Sequence, residues 1–509
     1  MSFHRHFLEL VEQIERDYPV GTWRCRDFEL WPIARMGLYL DMYWAQTSAT
    51  PPTRPVFPLR HVATASRLLR NLWRSRREPR RLALRARPAD AVVLGDGVSF
   101  DWLDGEAVDR FGEPVMAAQE GRGQSAFLMQ QGDLSRWPWH RTSYAANLIA
   151  YRGTPGPFSR LHPIHAPALD DVRQFLLRHE VDAGSMTAPS LTMAANQVAG
   201  AASRFESILM AVKPTLAFVV NYYSNLGPAF LLACRRRGIL SIDLQHCPQI
   251  GTHQAYRWWA VPETGYATLP AIFWSWTLED AAAIRHWTDP LRRPWHRSFH
   301  GGHIQLAPYL DDGDALAAES DRRFRAIGNG ADFEREILVA LQPVEGGGAW
   351  EALADHIRDA PATWRWWIRR HPASTPLQDR QFQRLFSLRA VNVVTEETAA
   401  LPLPALLRHM SVIISLFSGA AVEAAEFGVP ALFLSDEARG RFPELFAHGL
   451  ATVCAPQDVG ARIGLLPGRP QRPPPQLRPG IAQSLERLQE MAGEYAGLCR
   501  EFQRAARES

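Results

Sequence analysis

The chain is nearly devoid of lysine: Lys213 is the single one among 56 lysine and arginine residues. The phosphate-binding loop G-x-x-x-x-G-K-[ST] is absent, and that loop needs its lysine to reach the phosphates of a nucleotide. A Schiff-base mechanism is nearly excluded as well, because Lys213 stands beside Pro214, directly before a predicted strand. Any phosphate that this protein binds must be held by arginine, histidine, hydroxyl or backbone N–H groups.

The chain also has few cysteines, no long apolar run and a small net charge. The five cysteines are scattered without a C-x-x-C pair, which favours a reducing cytoplasm over a disulfide framework or a zinc site. No run of 18 apolar residues exists, so no membrane span is expected, and the amphipathic N-terminal stretch is unlike a signal peptide. The net charge is only +3 over 509 residues, which argues against a nucleic-acid partner.

Strands and helices alternate in two blocks, one from Ala89 and one from about Glu334. In the first block, Pro214–Ser224 and Ile239–His246 predict strands, and Leu226–Gly238 between them predicts a helix that ends on glycine. Such a βαβ unit is typical of a parallel sheet, so we predict an α/β fold with two Rossmann-like domains facing a cleft. The predicted divisions are an N-terminal helical extension over 1–88, the two domains over 89–295 and 296–480, and a final helix over 481–509.

Two stretches fall outside this alternation. Tyr256–Pro294 is rich in tryptophan and interrupted by proline, and we interpret it as a connection. The segment Arg67–Arg81 is a basic, amphipathic helical stretch in which Glu78 is the one acid. It suits either the anionic surface of a membrane or a solvated helix packed on its own domain. The predicted location is therefore cytoplasmic, with peripheral contact at the inner face of the membrane as one alternative.

Two strand ends in the second block carry residues suited to a nucleotide. Val412–Leu416 predicts a buried parallel strand, and the turn FSG leads from it into a predicted helix, Ala420–Phe427, whose first N–H groups suit an anion. Glu423 lies about one turn into that helix, within reach of a ribose hydroxyl. The strand Trp364–Arg369 delivers the residues Arg370-His371-Pro372 to the same kind of edge. Strand–turn–helix units of this kind also occur without ligands, but two together predict a nucleotide pocket at the carboxyl ends of a sheet.

Three motifs resemble those of one group of glycosyltransferases. IRRHP resembles the HP motif of bacterial sialyltransferases, capsule Kdo transferases and CDP-glycerol glycerophosphotransferases. LFSGAAVEAAEFGVPALFL resembles their serine motif, and DLQHCPQIGTHQAY resembles their QHG segment. The resemblance covers roughly Pro214–Gly449, while WPIARMGLY, near the N-terminus, is similar only loosely to surface-polysaccharide transferases. It implies the two-domain GT-B architecture, with the acceptor on the first domain and the nucleotide-sugar donor on the second.

On the donor side, the resemblance implies that His371 contacts the donor phosphate, with Arg370 beside it. Ser418 would hydrogen-bond a phosphate oxygen, and Glu423 would hold the ribose. The sequence departs from the group at Gly419, where the second serine of the motif is usual. That departure removes one hydroxyl contact to the donor.

On the acceptor side, the resemblance makes His246 the candidate general base, since an imidazole with a pKa near 6.5 suits that work at neutral pH. Cys247 follows it where the group has glycine. An alternative base is a carboxylate after the first strand of the block, where Asp96, Ser99 and Asp101 lie. Asp101 is the one that we select among these.

The predicted function is transfer of a sugar from a CMP-, CDP- or UDP-type donor to a bacterial surface polysaccharide, such as a capsule or lipopolysaccharide, or to a lipid-linked acceptor. One direct displacement would invert the sugar, and neither a metal nor a cofactor is expected. Two alternatives stay open. A UDP-N-acetylglucosamine 2-epimerase-like enzyme would need several carboxylates in the cleft and no acceptor helices. A non-catalytic glycan- or nucleotide-binding subunit would explain the altered SG and QHC motifs.

Overall fold

The computed structural model describes residues 3–47, 87–103, 106–131, 144–146, 149, 155, 160–248, 253–327, 332–342, 348–371, 374–386, 392–466 and 480–508. The predicted membrane-surface segment Arg67–Arg81 lies outside these residues. Among the helices of the described residues, none has both the length and the apolar character to cross a bilayer.

The described part of the predicted N-terminal extension, residues 3–47, contains two long helices and packs on the first domain. Its helices are Phe3–Asp17 and Trp31–Thr47, joined through the short antiparallel strands β1 (Arg24–Cys25) and β2 (Phe28–Glu29). The first helix buries one face, at Phe7, Leu10, Val11 and Ile14, because these positions recur at helical spacing. They join the same hydrophobic core as one face of the first sheet.

The first domain contains a seven-stranded parallel sheet. Its strands in chain order, with the separate hairpin β4–β5, are β3 (Ala91–Gly95), β4 (Phe100–Leu103), β5 (Glu106–Asp109), β6 (Ala126–Gln130), β7 (Tyr144–Ala145), β8 (Leu216–Val220), β9 (Leu240–Leu244), β10 (Ile272–Ser275) and β11 (Arg297–His300). The spatial order is β11-β10-β9-β8-β3-β6-β7. The chain thus starts in the middle, builds to one edge, crosses over and builds to the other, which is the Rossmann topology.

The stretch Tyr256–Pro294 is not the simple connection that we predicted. It contains β10 and the helix Leu278–Thr288, and β11 then pairs with β10 in parallel. The first sheet therefore extends beyond the domain boundary predicted at residue 295. The strand β10 was missed because it has only four residues, Ile272–Ser275, which is too short to show a period, and because tryptophans and prolines surround it.

The second domain repeats the topology with six parallel strands. They are β12 (Arg335–Ala340), β13 (Trp364–Arg369), β14 (Val393–Val394), β15 (Val412–Ser415), β16 (Ala431–Phe433) and β17 (Ala451–Val453), in the order β14-β13-β12-β15-β16-β17. All neighbouring pairs are parallel. The predicted α/β fold with two Rossmann-like domains is confirmed.

Helices cover both faces of each sheet. Those of the first domain are Gly112–Gly121, Leu169–Arg178, Ala188–Val212, Gly227–Arg237 and Leu278–Thr288. Those after β11 are Ala307–Leu310, Ala315–Ile327, Ala349–Asp359, Pro376–Phe386, Leu403–Leu407, Ala420–Glu426, Glu437–Arg441, Pro443–Ala447 and Val459–Leu465. The final helix, Ile481–Glu508, returns to the first domain, where Leu485 and Leu488 share a core with Leu240 and Ile272.

The carboxyl ends of the two sheets face each other across the cleft. Pro248 follows β9 in the first domain and lies against Gly419, which follows β15 in the second. Arg110, at the end of the hairpin β4–β5, forms an ion pair with Glu423 of the second domain. Residues that terminate strands in both domains are therefore brought into one region.

Candidate functional site

Two histidines and a tyrosine form a cluster at the carboxyl edge of the first sheet. His246 follows β9, and its Nε2 lies 3.0 Å from the hydroxyl of Tyr223, which follows the neighbouring strand β8. The Nε2 of His253 lies 3.2 Å from the same hydroxyl. Adjacent parallel strands end side by side, so the residues that follow them meet at this edge.

Both imidazoles of this cluster are neutral at neutral pH. Burial lowers the pKa of His246 to about 4, although the Asp96 carboxylate acts in the opposite direction. Burial likewise lowers the pKa of His253 to about 3, with further lowering by the nearby His246. A neutral imidazole keeps the lone pair that a general base requires, but a low pKa makes it a weak base.

Charged residues from both domains form a second cluster in the cleft. The Nη2 of Arg110 lies 3.2 Å from Oε2 of Glu423, and the Nε of Arg110 lies 3.6 Å from Oδ2 of Asp101 on β4. Burial raises the pKa of both carboxyls, and Arg110 opposes that rise in each case. The structure therefore brings together Asp101 and Glu423, which the sequence had assigned to acceptor and donor separately.

The two arginines at the carboxyl end of β13, Arg369 and Arg370, have different partners. The guanidinium of Arg369 donates to the carbonyl oxygens of Thr398 and Leu401, at 2.6 and 2.7 Å. Burial lowers the pKa of Arg369, while Asp101 across the cleft favours its charged form. Arg370, the predicted donor-binding residue, lies 3.6 Å from Asp379 of the following helix instead. Successive strand residues point to opposite faces, so one arginine turns toward the cleft cluster and its neighbour turns away.

His371 and Ser418 lie at the same edge of the second sheet. They follow β13 and β15, which flank β12 and run parallel to it. His371 is exposed, and partial burial lowers its pKa. The amide of Ser418 donates to Ser415 Oγ at 3.1 Å, and the Ser418 hydroxyl accepts from the amide of Ala420 at 3.3 Å. The predicted anion-binding turn thus satisfies part of its own hydrogen-bonding capacity.

Gly419 is glycine because the two domains touch there. A Cβ atom at this position would lie 2.8 Å from Cγ of Pro248, closer than carbon atoms normally approach. A serine in the second position of the motif would push against the loop that follows His246. The glycine that stands where the resembled motif has a serine therefore has a steric reason, although it still removes a hydroxyl from this turn.

The N-terminal extension holds the loop behind His253. Glu15 Oε1 accepts hydrogen bonds from Arg35 at 2.8 Å and from the indole of Trp31 at 2.9 Å. The other oxygen of Glu15 accepts from the backbone amides of Trp259 and Ala260, at 2.7 and 3.0 Å. Glu15 and Arg35 are fully buried. The segment WPIARMGLY, which contains Trp31 and Arg35, therefore helps to anchor the loop that contains Trp259 and Ala260.

Sequence reasoning missed Tyr223, His253 and Arg110. Tyr223 and His253 have a usable signal, because Tyr223 lies at the end of a predicted strand and His253 lies in the segment that resembles QHG. Arg110 has none, since it meets a residue 313 positions away. Among the described residues, no group of three or more His, Cys, Asp or Glu side chains could hold a metal ion.

No protein-family model matches the chain, and no curated protein matches it. Among solved structures, the chain is similar to UDP-GlcNAc 2-epimerase of Neisseria meningitidis bound to UDP-GlcNAc, at 14% identity and a TM-score of 0.44, over 80% of this chain and 93% of that one. The epimerase of Methanocaldococcus jannaschii gives 12% identity and a TM-score of 0.45, over 78% and 98%. The calicheamicin glycosyltransferase CalG4 gives 12% and 0.37, over 82% and 98%. Similarity of this extent carries neither a family nor an activity over to this chain.

Proposed function

We propose that this protein is a GT-B glycosyltransferase of the HP-motif group. It would transfer a sugar from a nucleotide donor to a hydroxyl of a bacterial surface polysaccharide or lipid-linked acceptor. The observation that carries the proposal is the pairing of two sheet edges across one cleft. The first edge has neutral imidazoles at His246 and His253, and the second has His371 and Ser418. Proton-accepting groups thus face groups suited to a phosphate.

The donor would bind at the second edge. Ser418 and His371 would contact its phosphate, and Glu423 would accept hydrogen bonds from the ribose hydroxyls. Glu423 is held by Arg110 in the structure, so a ribose would have to displace that arginine. The released guanidinium then lies in the cleft, where it can stabilise the negative charge of the departing nucleotide.

The chemistry would be a single displacement. The acceptor oxygen forms a bond to the anomeric carbon as the bond from that carbon to the phosphate oxygen breaks, so the configuration inverts. His246 ends the reaction with one additional proton, and the nucleotide leaves as an anion. General-base catalysis of this kind contributes about 10²- to 10⁴-fold in rate.

A 2-epimerase-like activity is the second candidate. The observation that favours it is the pair of carboxylates, Asp101 and Glu423, on either side of Arg110 in the cleft. Incubation with UDP-GlcNAc distinguishes the two functions. Epimerisation or elimination of the sugar without any acceptor would support this candidate and contradict a transferase.

Nucleotide binding is the first test of the proposal. Thermal unfolding is recorded with CMP, CDP, UDP, GDP and TDP in turn, because a ligand at 100 times its dissociation constant adds about 2.7 kcal/mol of stability. One nucleotide should stabilise the wild type, and Ser418→Ala should weaken that effect, whereas Ser435→Ala, at the end of another strand, should not. If no nucleotide shifts the transition, the nucleotide-sugar assignment is wrong.

A further inference from the structure

The hydroxyl of Tyr223 lies between the two imidazoles of the first edge, 3.0 Å from Nε2 of His246 and 3.2 Å from Nε2 of His253. Each histidine makes this contact through its Nε2, a nitrogen that in a neutral ring either donates or accepts one proton. The Tyr223 hydroxyl therefore links the two imidazoles. The directions of the two hydrogen bonds follow from a third contact.

The backbone amide of Ala255 donates to Nδ1 of His253 at 3.2 Å. A backbone N–H can only donate, so Nδ1 must accept, and the single proton of the neutral ring is on Nε2. That N–H points to the Tyr223 hydroxyl. The side-chain amide of Gln254 lies 3.3 Å from the same nitrogen and must then present its oxygen, which otherwise has no partner among the described residues.

Tyr223 accepts the proton of His253, so its own proton is available for His246. The thiol of Cys247 also lies beside this hydroxyl, but sulfur is a weaker acceptor than an imidazole nitrogen. Nε2 of His246 therefore accepts from Tyr223, and its proton is on Nδ1. That Nδ1 is buried and has no hydrogen-bond partner of good geometry among the described residues. Neither nitrogen of His246 is open to an acceptor.

We propose that Tyr223 is a catalytic residue that relays the acceptor's proton to His246, with His253 as a positioning residue that orients the hydroxyl. The inference rests on the proposed function. As the acceptor oxygen bonds to the anomeric carbon and the nucleotide leaves, the acceptor proton passes to the Tyr223 oxygen. The phenolic proton passes at the same time to Nε2 of His246, which becomes an imidazolium. The Nε2–H of His253 stabilises the hydroxyl oxygen throughout.

A purely structural role for this network is the competing explanation, and Tyr222 provides the control. Its hydroxyl also makes a buried hydrogen bond, to the carbonyl of Ala255, and it contacts neither imidazole nitrogen. Tyr222→Phe and Tyr223→Phe therefore each remove one hydroxyl from the same strand end. Only Tyr223→Phe removes the link between the histidines.

The first measurement needs no substrate. Long-range ¹H–¹⁵N spectra of the full chain with labelled histidine are recorded at neutral pH, and His246→Gln and His253→Gln assign the signals. We expect His253 with its proton on Nε2 and His246 with its proton on Nδ1. Tyr223→Phe should shift the Nε2 signal of His246, and Tyr222→Phe should leave it unchanged. A proton on Nδ1 of His253, or no response to Tyr223→Phe, overturns the network.

The second measurement uses the donor found by nucleotide screening. Tyr223→Phe should lower kcat about 100-fold, within the range of acid–base catalysis, while the donor KM changes less than about 2-fold. Tyr222→Phe should keep kcat within about 3-fold of wild type. Because the relay moves two protons in the same step, the wild-type rate should be a curved function of the deuterium fraction of the solvent. A linear dependence, or a Tyr223→Phe variant with more than half the wild-type rate, overturns the relay.

The two measurements separate the relay from the proposed function. If no donor exists, the proposed function and the relay are both wrong, and the spectra still decide the hydrogen-bond directions. If transfer is found and its rate depends linearly on the deuterium fraction of the solvent, the proposed function stands and the relay is wrong.

Discussion

The two sheets share one topology, but their carboxyl edges differ in chemistry. At the first edge, the Tyr223 hydroxyl is hydrogen-bonded to both His246 and His253, and both imidazoles are uncharged. At the second, Arg369 bonds to backbone carbonyls and His371 is exposed. A parallel sheet gathers the residues that follow its strands, whatever they are. The fold therefore decides where these residues meet, and the residue types decide whether an edge carries hydrogen-bonded neutral groups or exposed and charged ones.

The short helix Ala420–Glu426 connects the two edges. Glu423 pairs with Arg110, and Glu426 lies 3.7 Å from the buried His303, whose ring stacks on Trp276. Both carboxylates are on one side of the helix, because residues three apart are neighbours on its surface. A ligand that engages Glu423 must therefore alter a contact between the domains.

The largest expected effect is at the first edge. His246→Gln keeps a polar group of similar size but cannot take a proton, so transfer should fall by about 10²- to 10⁴-fold. Nucleotide binding at the second edge should stay within about 2-fold, because the contacts there are intact. Initial rates and nucleotide titration of the same preparation measure both. If His246→Gln lost nucleotide binding as well as transfer, the proposal that the two edges have separate functions would be wrong.

The second prediction tests how the N-terminal extension stabilises the first edge. Glu15→Gln leaves the buried Arg35 charge without its partner, which should cost about 3–5 kcal/mol of unfolding free energy. The matched control is Glu9→Gln, in an exposed pair with Arg5, which should cost less than about 1 kcal/mol. Urea denaturation measures both. Equal costs would show that the buried pair does not anchor the first edge.

The third prediction concerns ribose binding. Glu423→Gln removes a charged acceptor, which should weaken nucleotide binding about 10-fold, because hydrogen bonds to charged groups contribute about 1.5–3 kcal/mol. Glu437→Gln, in an exposed pair with Arg441, is the control and should have no effect on binding. Calorimetric titration decides. If the dissociation constant of Glu423→Gln is unchanged, Glu423 does not bind the ribose and serves only to pair with Arg110.

The fourth prediction introduces the serine that is usual in the motif that this turn resembles. Gly419→Ser should lower the unfolding free energy by about 1–3 kcal/mol through overpacking against Pro248, without any gain in nucleotide affinity. Adding Pro248→Ala should recover most of the loss. Gly440→Ser, where a Cβ meets nothing within 4 Å, is the control. Stability equal to wild type would mean that the domains do not meet as closely as the structure has them.

The smallest expected effect is that of pH. Burial holds the pKa of His246 at about 4, so the ring stays neutral and able to accept a proton down to that pH. kcat/KM should change less than about 2-fold between pH 7 and 5.5, whereas an ordinary histidine near pKa 6.5 would lose roughly 8-fold. Circular dichroism across the same range controls for unfolding. A loss centred near pH 6.5 would contradict a buried base.

Much of the arrangement at the second edge was predicted from the sequence. Apolar runs such as Val412–Leu416 that stop on small residues predict buried parallel strands, and the structure ends that strand within one residue, at Ser415. His371 and Ser418 were placed at one edge for the same reason. The opposite directions of Arg369 and Arg370 were not predicted, because the face that each presents depends on the register of the strand.

The arrangement at the first edge was predicted only in part. The sequence located His246 at a strand end, but not the Tyr223 hydroxyl against its nitrogen or the second imidazole 30 positions beyond that tyrosine. Loop residues reach their partners through the path of the loop, which no local periodicity encodes. The strand β10 was missed for a related reason, since its four residues show no period.

The sequence by itself determined the class of fold, the strands that carry the site and the absence of a lysine-based phosphate loop, because these depend on local composition and spacing. The tertiary structure alone decided the pairing of Arg110 with Glu423, the steric need for Gly419 and the tautomers of His246 and His253. Each of these depends on two segments far apart in the chain. A hydrogen bond or a close contact exists only once the backbone has brought its partners within about 3 Å of each other.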